Sequence, residues 1–250
     1  MELTAIPVAL EELKSLRELY RQEMNCQIIH DSVHPRPGWT MEYMLHADRV
    51  PVGYGSVAVA GPWKEIPALY EFYVLPYYRS RMFDLFEILL AVTRVTKIET
   101  QSNDAFLTPM LHAFARDVLS GSILFHDRIT TNLSPPGAVF RLATSADALE
   151  ISPSQIRSHG IVEIGGVAAA KGGILFHYNR PYGDIYMEVS EPFRRRGLGS
   201  YLVQELKRVG YENGNIPSAR CNPKNTASRK TLQKAGFVPC GHILVGSVST

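Results

Sequence analysis

Leucines at 198, 202 and 206, followed by Val209, recur at spacings of four, four and three, which keeps one face of a helix apolar while Gln204, Glu205, Lys207 and Arg208 fall mostly elsewhere. Just upstream, DIYMEV at 184–189 alternates as a strand does. A turn crowded with arginine and glycine, EPFRRRGLGS at 191–200, joins the two. The same succession occurs earlier in the chain. There, β-type stretches between 42 and 75, punctuated by Gly and Pro, lead into a helical run beginning near Met82. Pro76 matches Pro192 at an offset of 116, and VGYGSV (52–57) matches AKGGIL (170–175) at 118. Each run continues into a strand-like segment and a helix. These are KIETQSND (97–104) with AFLTPMLHAFARDV (105–118), and IPSARCNP (216–223) with TASRKTLQKAG (226–236). The chain reads as a tandem repeat.

Between the copies lies TNLSPPGA (131–138), whose paired prolines and glycine continue neither a helix nor a central strand. The expected division is therefore 1–130, a linker at 131–138, and 139–250. Alternating strands and helices predict an α/β (α+β) layered sheet in each half, the copies packed as an internal pseudo-dimer. The first copy opens with a helix at 9–24, its leucines at 10, 13, 16 and 19. The second has TSADALEISPSQIRSHG (144–160) in that place, interrupted by Pro153.

A chain of 250 residues, 45% hydrophobic and 20% charged, can bury a substantial core, and it has no apolar run near the ~20 residues that span a bilayer. No membrane partner is expected. An acidic residue at position 2 and no basic stretch before the first apolar residues argue against a secretory signal. Three cysteines, Cys26, Cys221 and Cys240, show no zinc spacing and suit a reducing, cytoplasmic setting. The net charge of +2 conceals an asymmetry. Residues 1–138 hold 12 Lys and Arg against 16 Asp and Glu, and residues 139–250 hold 14 against 8. The basic half is where a polyanionic ligand is expected.

The arginine–glycine turn fits that expectation. A helix start exposes unpaired backbone N–H groups and the positive end of the macrodipole. Glycines at 197 and 199 allow close approach and positive φ, and arginines add charge-assisted hydrogen bonds. A merely solvated basic turn is the plainer alternative. The dinucleotide fingerprint fails because its third glycine falls on Leu202, and a phosphate-binding NTPase loop lacks G-K-[ST]. Nucleic-acid binding is not expected, since the basic cluster is local and no stacking motif accompanies it.

Arg194, Arg195, Arg196, Gly197, Leu198 and Gly199 match [QR]-x-x-G-x-[GA], and NTASRKTLQKAGF (225–237) matches N-x-x-[SA] with a closing Gly-Phe. With the lead-in VSEPF at 189–193, this resembles the GNAT superfamily of acyl-CoA-dependent N-acyltransferases, strongly over about 160–246 and in outline before. The resemblance implies a twisted mixed sheet in which two strands splay around the pantetheine arm of acetyl-CoA. Backbone groups of Met187 and Val189 would pair with that arm, and amides from Arg194 to Ser200 would hold the pyrophosphate. Asn225 and Ser228 would border the same site. In the first copy the aligned residues are Tyr78, Arg79, Ser80, Arg81, Met82 and Phe83, without either glycine. A degenerate, CoA-free copy is expected.

The implied reaction is direct attack of a primary amine, expected on a small molecule, upon the thioester. The alternatives are a non-catalytic CoA sensor and an acetyltransferase acting on a peptide or protein amine. A lysine-like ammonium is neutral in about one molecule in 2,500 at pH 7, a cost of roughly 4.6 kcal/mol, so a general base is needed. Strand alternation makes Glu188 the candidate, with Tyr186 on its own face. Many relatives place a proton-donating Tyr four residues before the motif glycine, where this chain has Leu232. The thiolate would then leave without a side-chain acid, or by way of water, Ser228, Tyr178 or Tyr182. Cys221 as a nucleophile is disfavoured for want of a histidine partner, and His177 is a strand residue that acts as second base or simply bonds within the fold. Glu71, Asp48 and Asp31 are placed as an acidic wall favouring a cationic amine. No metal is expected, and the oligomer is a monomer or homodimer.

Overall fold

The computed structural model describes residues 2–144, 147 and 156–248, and the interrupted segment around Pro153 lies outside them. In chain order the elements are β1 (Leu3–Val8), α1 (Lys14–Met24), β2 (Thr40–Ala47), β3 (Val50–Ala58), β4 (Ala68–Val74), α2 (Met82–Thr93), β5 (Lys97–Gln101), α3 (Leu107–Phe114) and β6 (Ala115–Asp127). They continue as β7 (Ala138–Leu142), β8 (Ile156–Ile164), β9 (Val167–Leu175), β10 (Tyr182–Val189), α4 (Leu198–Glu212), β11 (Ile216–Cys221), α5 (Thr226–Lys234) and β12 (Phe237–Val248).

The division of the chain differs from the expected one. The first compact unit is Met1–Gly121 with His242–Thr250, and the second is Ser122–Gly241. The Pro-rich segment at 131–138 lies inside the second unit, where both backbone groups of Leu133 bond the Gln204 side chain. Strand edges decide the boundary. Ile243–Ser247 pair antiparallel with β5 of the first unit, and Ile123–His126 pair antiparallel with β11 of the second. Each pairing satisfies a row of backbone groups that a proline-rich connection cannot.

Within the first unit β1 to β4 form an antiparallel meander, and β4 runs parallel to β5 over Ala68–Lys97 and Leu69–Ile98 alone. Within the second, β7 to β10 repeat the meander, and β10 runs parallel to β11 only from Tyr182–Ile216 to Asp184–Ser218. Both units thus contain a parallel pair that parts after two or three residues.

The stripe read for α4 is the buried one: Leu198, Leu202 and Leu206 pack in a core with Val162, Ile174 and Ile185, and Val209 is buried as well. α1 differs from its reading. A strict spacing of three rotates a stripe by about 60° per step, so Leu19 ends 40% exposed, and the buried residues are Leu13, Leu16, Arg17 and Tyr20. Leu10–Leu13 form a tighter 3-10 turn before it. α3 stops at Phe114 because Ala115 adopts extended backbone and opens β6. No described helix is long and apolar enough to cross a membrane.

Candidate active site

The strand β10 leaves one backbone edge open. The carbonyl of Pro181 accepts from Ile216 N–H on the β11 side, whereas Ser190 N–H donates to Ala169 O on the β9 side. Backbone groups alternate along a strand, so those of Ile185, Met187 and Val189 point toward β11, from which β10 has already parted after Asp184. The Val189 carbonyl is engaged by Arg194 Nε at 3.2 Å. Met187 is left with both groups facing the gap.

Directly beyond the strand, Pro192 sits in a 3-10 turn, Glu191–Phe193, and the chain then twists through left-handed backbone at Arg195 (φ 62°) and Gly197 (φ 80°) before α4 begins. Arg194 N–H donates to Glu191 O and Tyr201 N–H to Gly197 O. The amides of residues 195–200 between them donate to no protein acceptor among the described residues. Six N–H groups gathered where the helix dipole is positive make an arrangement suited to an anion. The two glycines contribute differently. A Cβ on Gly197 would meet nothing nearer than Lys234 Nζ at 3.5 Å, so its role is the positive φ. A Cβ on Gly199 would come within 3.2 Å of Val189 and Thr231 side chains, so its role is to let α4 sit against β10 and α5.

Five of the six residues 195–200, all but Arg196, line a cleft of about 660 Å³. Met187, Glu188, Val189, Arg194, Arg195, Gly197, Leu198, Gly199, Ser200, Asn225 and Ser228 all line it. Arg196 does not, its guanidinium lying over the Phe193 ring at 5.6 Å. Arg194 offers its side chain rather than its amide, which Glu191 O has taken. Ser200 spends its hydroxyl on Thr231 O at 3.1 Å, and Asn225 caps α5 by accepting from Ser228 N–H at 3.0 Å. Lys230 and Thr231 also border the cleft and were missed. Their signal is the i+2 and i+3 position after Ser228, on the turn of α5 that meets α4.

A second pocket, of about 230 Å³, shares Met187 and Ser228 with the cleft and adds Asp184, Tyr186, Arg220 and Leu232. Leu232 is buried at its edge where a tyrosine was sought. Tyr186 OH lies 3.0 Å from His159 Nδ1, and burial, then the Glu188 charge, push its phenol up to about 12. Glu188 is on this face but 63% exposed, with Lys171 Nζ 3.6 Å away. His177 proves to be a loop residue after β9, with Nδ1 3.1 Å from Asp184 Oδ2 and 2.9 Å from Arg220 Nη2. Cys221 is buried, and that burial pushes its thiol up, as for packing rather than nucleophilic attack. No described cluster of His, Cys, Asp and Glu could hold a metal ion.

A family model described as FR47-like protein matches residues 159–242. No curated protein matches the chain significantly. Among solved structures, a GNAT-family acetyltransferase from Colwellia psychrerythraea superposes with a TM-score of 0.75 at 15% identity, covering 100% of both chains. A tandem GNAT protein from the clavulanic acid biosynthesis pathway gives 0.62 at 13% identity, over 100% of this chain and 99% of its own. The GCN5-related N-acetyltransferase of Sphaerobacter thermophilus gives 0.58 at 13%, over 99% and 96%. The chain has a tandem GNAT fold.

The first GNAT unit keeps the frame of the turn and loses its opening. Arg79 Nε donates to Val74 O as Arg194 does to Val189 O, and Tyr78 N–H donates to Leu75 O as Phe193 N–H does to Ser190 O. Those pairs are 115 apart, not the 116 read from the prolines, so Arg79 rather than Tyr78 corresponds to Arg194. Two residues instead of three then precede the helix, and no residue from 75 to 82 has positive φ. Met82 N–H is consumed by Arg79 O. The parted strands are filled as well. Tyr20, Tyr54, Tyr73 and Phe106 stack edge to face, Tyr20 OH donates to Asp104 at 2.7 Å, and a void of about 10 Å³ remains.

Two of the three acids proposed as a wall, Glu71 and Asp31, are engaged by cations of their own unit. Glu71 is buried 3.0 Å from His34 Nε2 and 2.9 Å from Tyr54 OH, and Asp31 bonds Arg17 and Arg21. Asp48 Oδ1 accepts from Glu2 N–H at 2.7 Å.

Proposed function

We propose that the second unit binds an acyl-CoA, acetyl-CoA by preference, and transfers the acyl group to a primary amine of a small molecule by direct attack. The observation that carries this reading is the run of six unspent amides at residues 195–200, beside a strand edge whose Met187 groups face an opened sheet. A diphosphate supplies the charge and acceptors that the amides lack, and an extended amide-bearing arm supplies partners for the strand edge. The neighbouring 230 Å³ pocket meets the cleft at Met187 and Ser228, so an acceptor there would reach the end of such an arm.

Glu188 is the proposed proton acceptor, its exposure letting it return the proton to solvent. With Leu232 at the usual donor position, the leaving thiolate takes its proton from water or departs unprotonated; at a thiol pKa of ~8.5 this costs little. The three free cysteines agree with a cytoplasmic setting, which belongs to the same proposal. Calorimetry with acetyl-CoA and steady thiol release with an amine panel test it together. Saturable binding with no thiol release from any amine would leave a CoA-binding sensor instead, and no binding would end the reading.

A further inference from the structure

The pocket beside the cleft holds one cation and one carboxylate, and they are not equally spent. Asp184 is 4% exposed, and its Oδ2 lies 3.3 Å from Arg220 Nε; His177 Nδ1 is 3.1 Å from the same oxygen but serves as the acceptor for Arg220 Nη2. Its charge is matched from within. Arg220 keeps one third of its side chain exposed. Its Nε faces Asp184 and its Nη2 lies 2.9 Å from His177 Nδ1, while Nη1 has no protein partner among the described residues. Asp184 and His177 therefore hold the guanidinium in one orientation and leave part of its donor fork directed to the pocket. Much of the remaining lining is apolar: Leu175, Ile185, Met187 and Leu232. Tyr186 OH already bonds His159.

A fixed guanidinium in a small pocket, half of whose lining residues are apolar, selects a planar anion. Taking as given that the cleft binds acetyl-CoA, we infer that the acceptor is an amino acid: a small molecule carrying a carboxylate as well as the amine, with Arg220 receiving the carboxylate. The volume of about 230 Å³ lies below the ~300–1,000 Å³ of drug-sized sites and suits a molecule of that size rather than a folded partner. This differs from the cationic acceptor that charge composition alone suggests, because Glu71 and Asp31 of the first unit are consumed within their own network.

The test measures thiol release from acetyl-CoA with a panel of L-amino acids, each against its own amide, which keeps the amine and removes the anion. At least one free acid should exceed its amide in kcat/KM by about 10- to 100-fold, the worth of a charge-assisted hydrogen bond. Arg220→Gln should bring that ratio close to one, chiefly by raising KM for the acid, and Arg220→Lys should fall between. The lysine variant retains a charge for the buried Asp184, so it remains readable if the glutamine variant fails to fold. Equal use of acids and amides, preference for amines without a carboxylate, or a loss in Arg220→Gln shared equally by acid and amide would overturn the inference. So would acetyl-CoA binding with no acid either acetylated or bound in the presence of CoA. Failure of the underlying reading looks different, because acetyl-CoA itself would then not bind.

Discussion

Gly197→Ala isolates the amide concavity from everything else in the second unit. The residue has φ 80° and ψ 0°, and an added Cβ would touch nothing nearer than 3.5 Å. The perturbation is therefore conformational, with a strain of about 1–2 kcal/mol for a non-glycine residue in left-handed backbone. Against a typical domain stability of ~5–15 kcal/mol the protein stays folded, losing ~2–4 °C of Tm per kcal/mol at this chain length. If the free protein relaxes the strain by turning the 197 peptide, binding must restore it, and acetyl-CoA affinity falls by about 5- to 30-fold. Gly214→Ala is the matched control. Gly214 has φ 70° with open space around it and does not line the cleft. Calorimetry and thermal melting should find a smaller Tm loss in Gly197→Ala than in the control, because the 197 peptide turns, and weakened binding in Gly197→Ala alone. Unchanged affinity in Gly197→Ala, with its Tm loss smaller than the control's, would refute the claim that the ligand reads these amides.

Titration of the intact chain with acetyl-CoA should saturate at one equivalent, because the first unit spends the Met82 amide and fills its parted strands; two equivalents would contradict that account. Glu188→Gln should lower kcat steeply and remove the acidic limb of the pH–rate profile while acetyl-CoA affinity survives, and an unchanged profile would remove Glu188 from proton transfer. In the first unit, burial works to lower the His34 pKa, but the Glu71 charge and hydrogen bonds to Glu42 and Glu71 raise it to about 9. Burial likewise opposes ionisation of Glu71, yet His34 and Arg17 hold its carboxyl well below the usual range. The His34 contribution is thus complete below about pH 6.5 and lost as pH rises through about 9, and the Glu71 contribution is lost as pH falls below about 4.5. Denaturant midpoints across pH should fall on both sides, and His34→Gln should flatten the alkaline side; parallel alkaline limbs would exclude the pair as their cause.

What was legible in the sequence divides along a physical line. Local requirements were visible because each has a residue signature: the α4 stripe, the Asn225 cap, the glycine that permits left-handed backbone at 197. Relations set by pairing and packing were not. Nothing in ARDV at 115–118 announces that it joins a strand, and nothing in 131–138 tells that strand edges elsewhere outvote a proline-rich stretch in dividing the chain. Gly199 was read as room for a ligand, but the space it leaves is taken by Val189 and Thr231, a contact that exists only once three elements meet. The acids of the first unit show the same limit most clearly. As composition they are surplus negative charge awaiting a cation, whereas in the fold Arg17, Arg21 and His34 already meet Glu71 and Asp31. Charge that is satisfied inside one unit cannot also steer a substrate, so acceptor preference has to be sought where a charged side chain remains partly unspent, which in the second unit's pocket is Arg220.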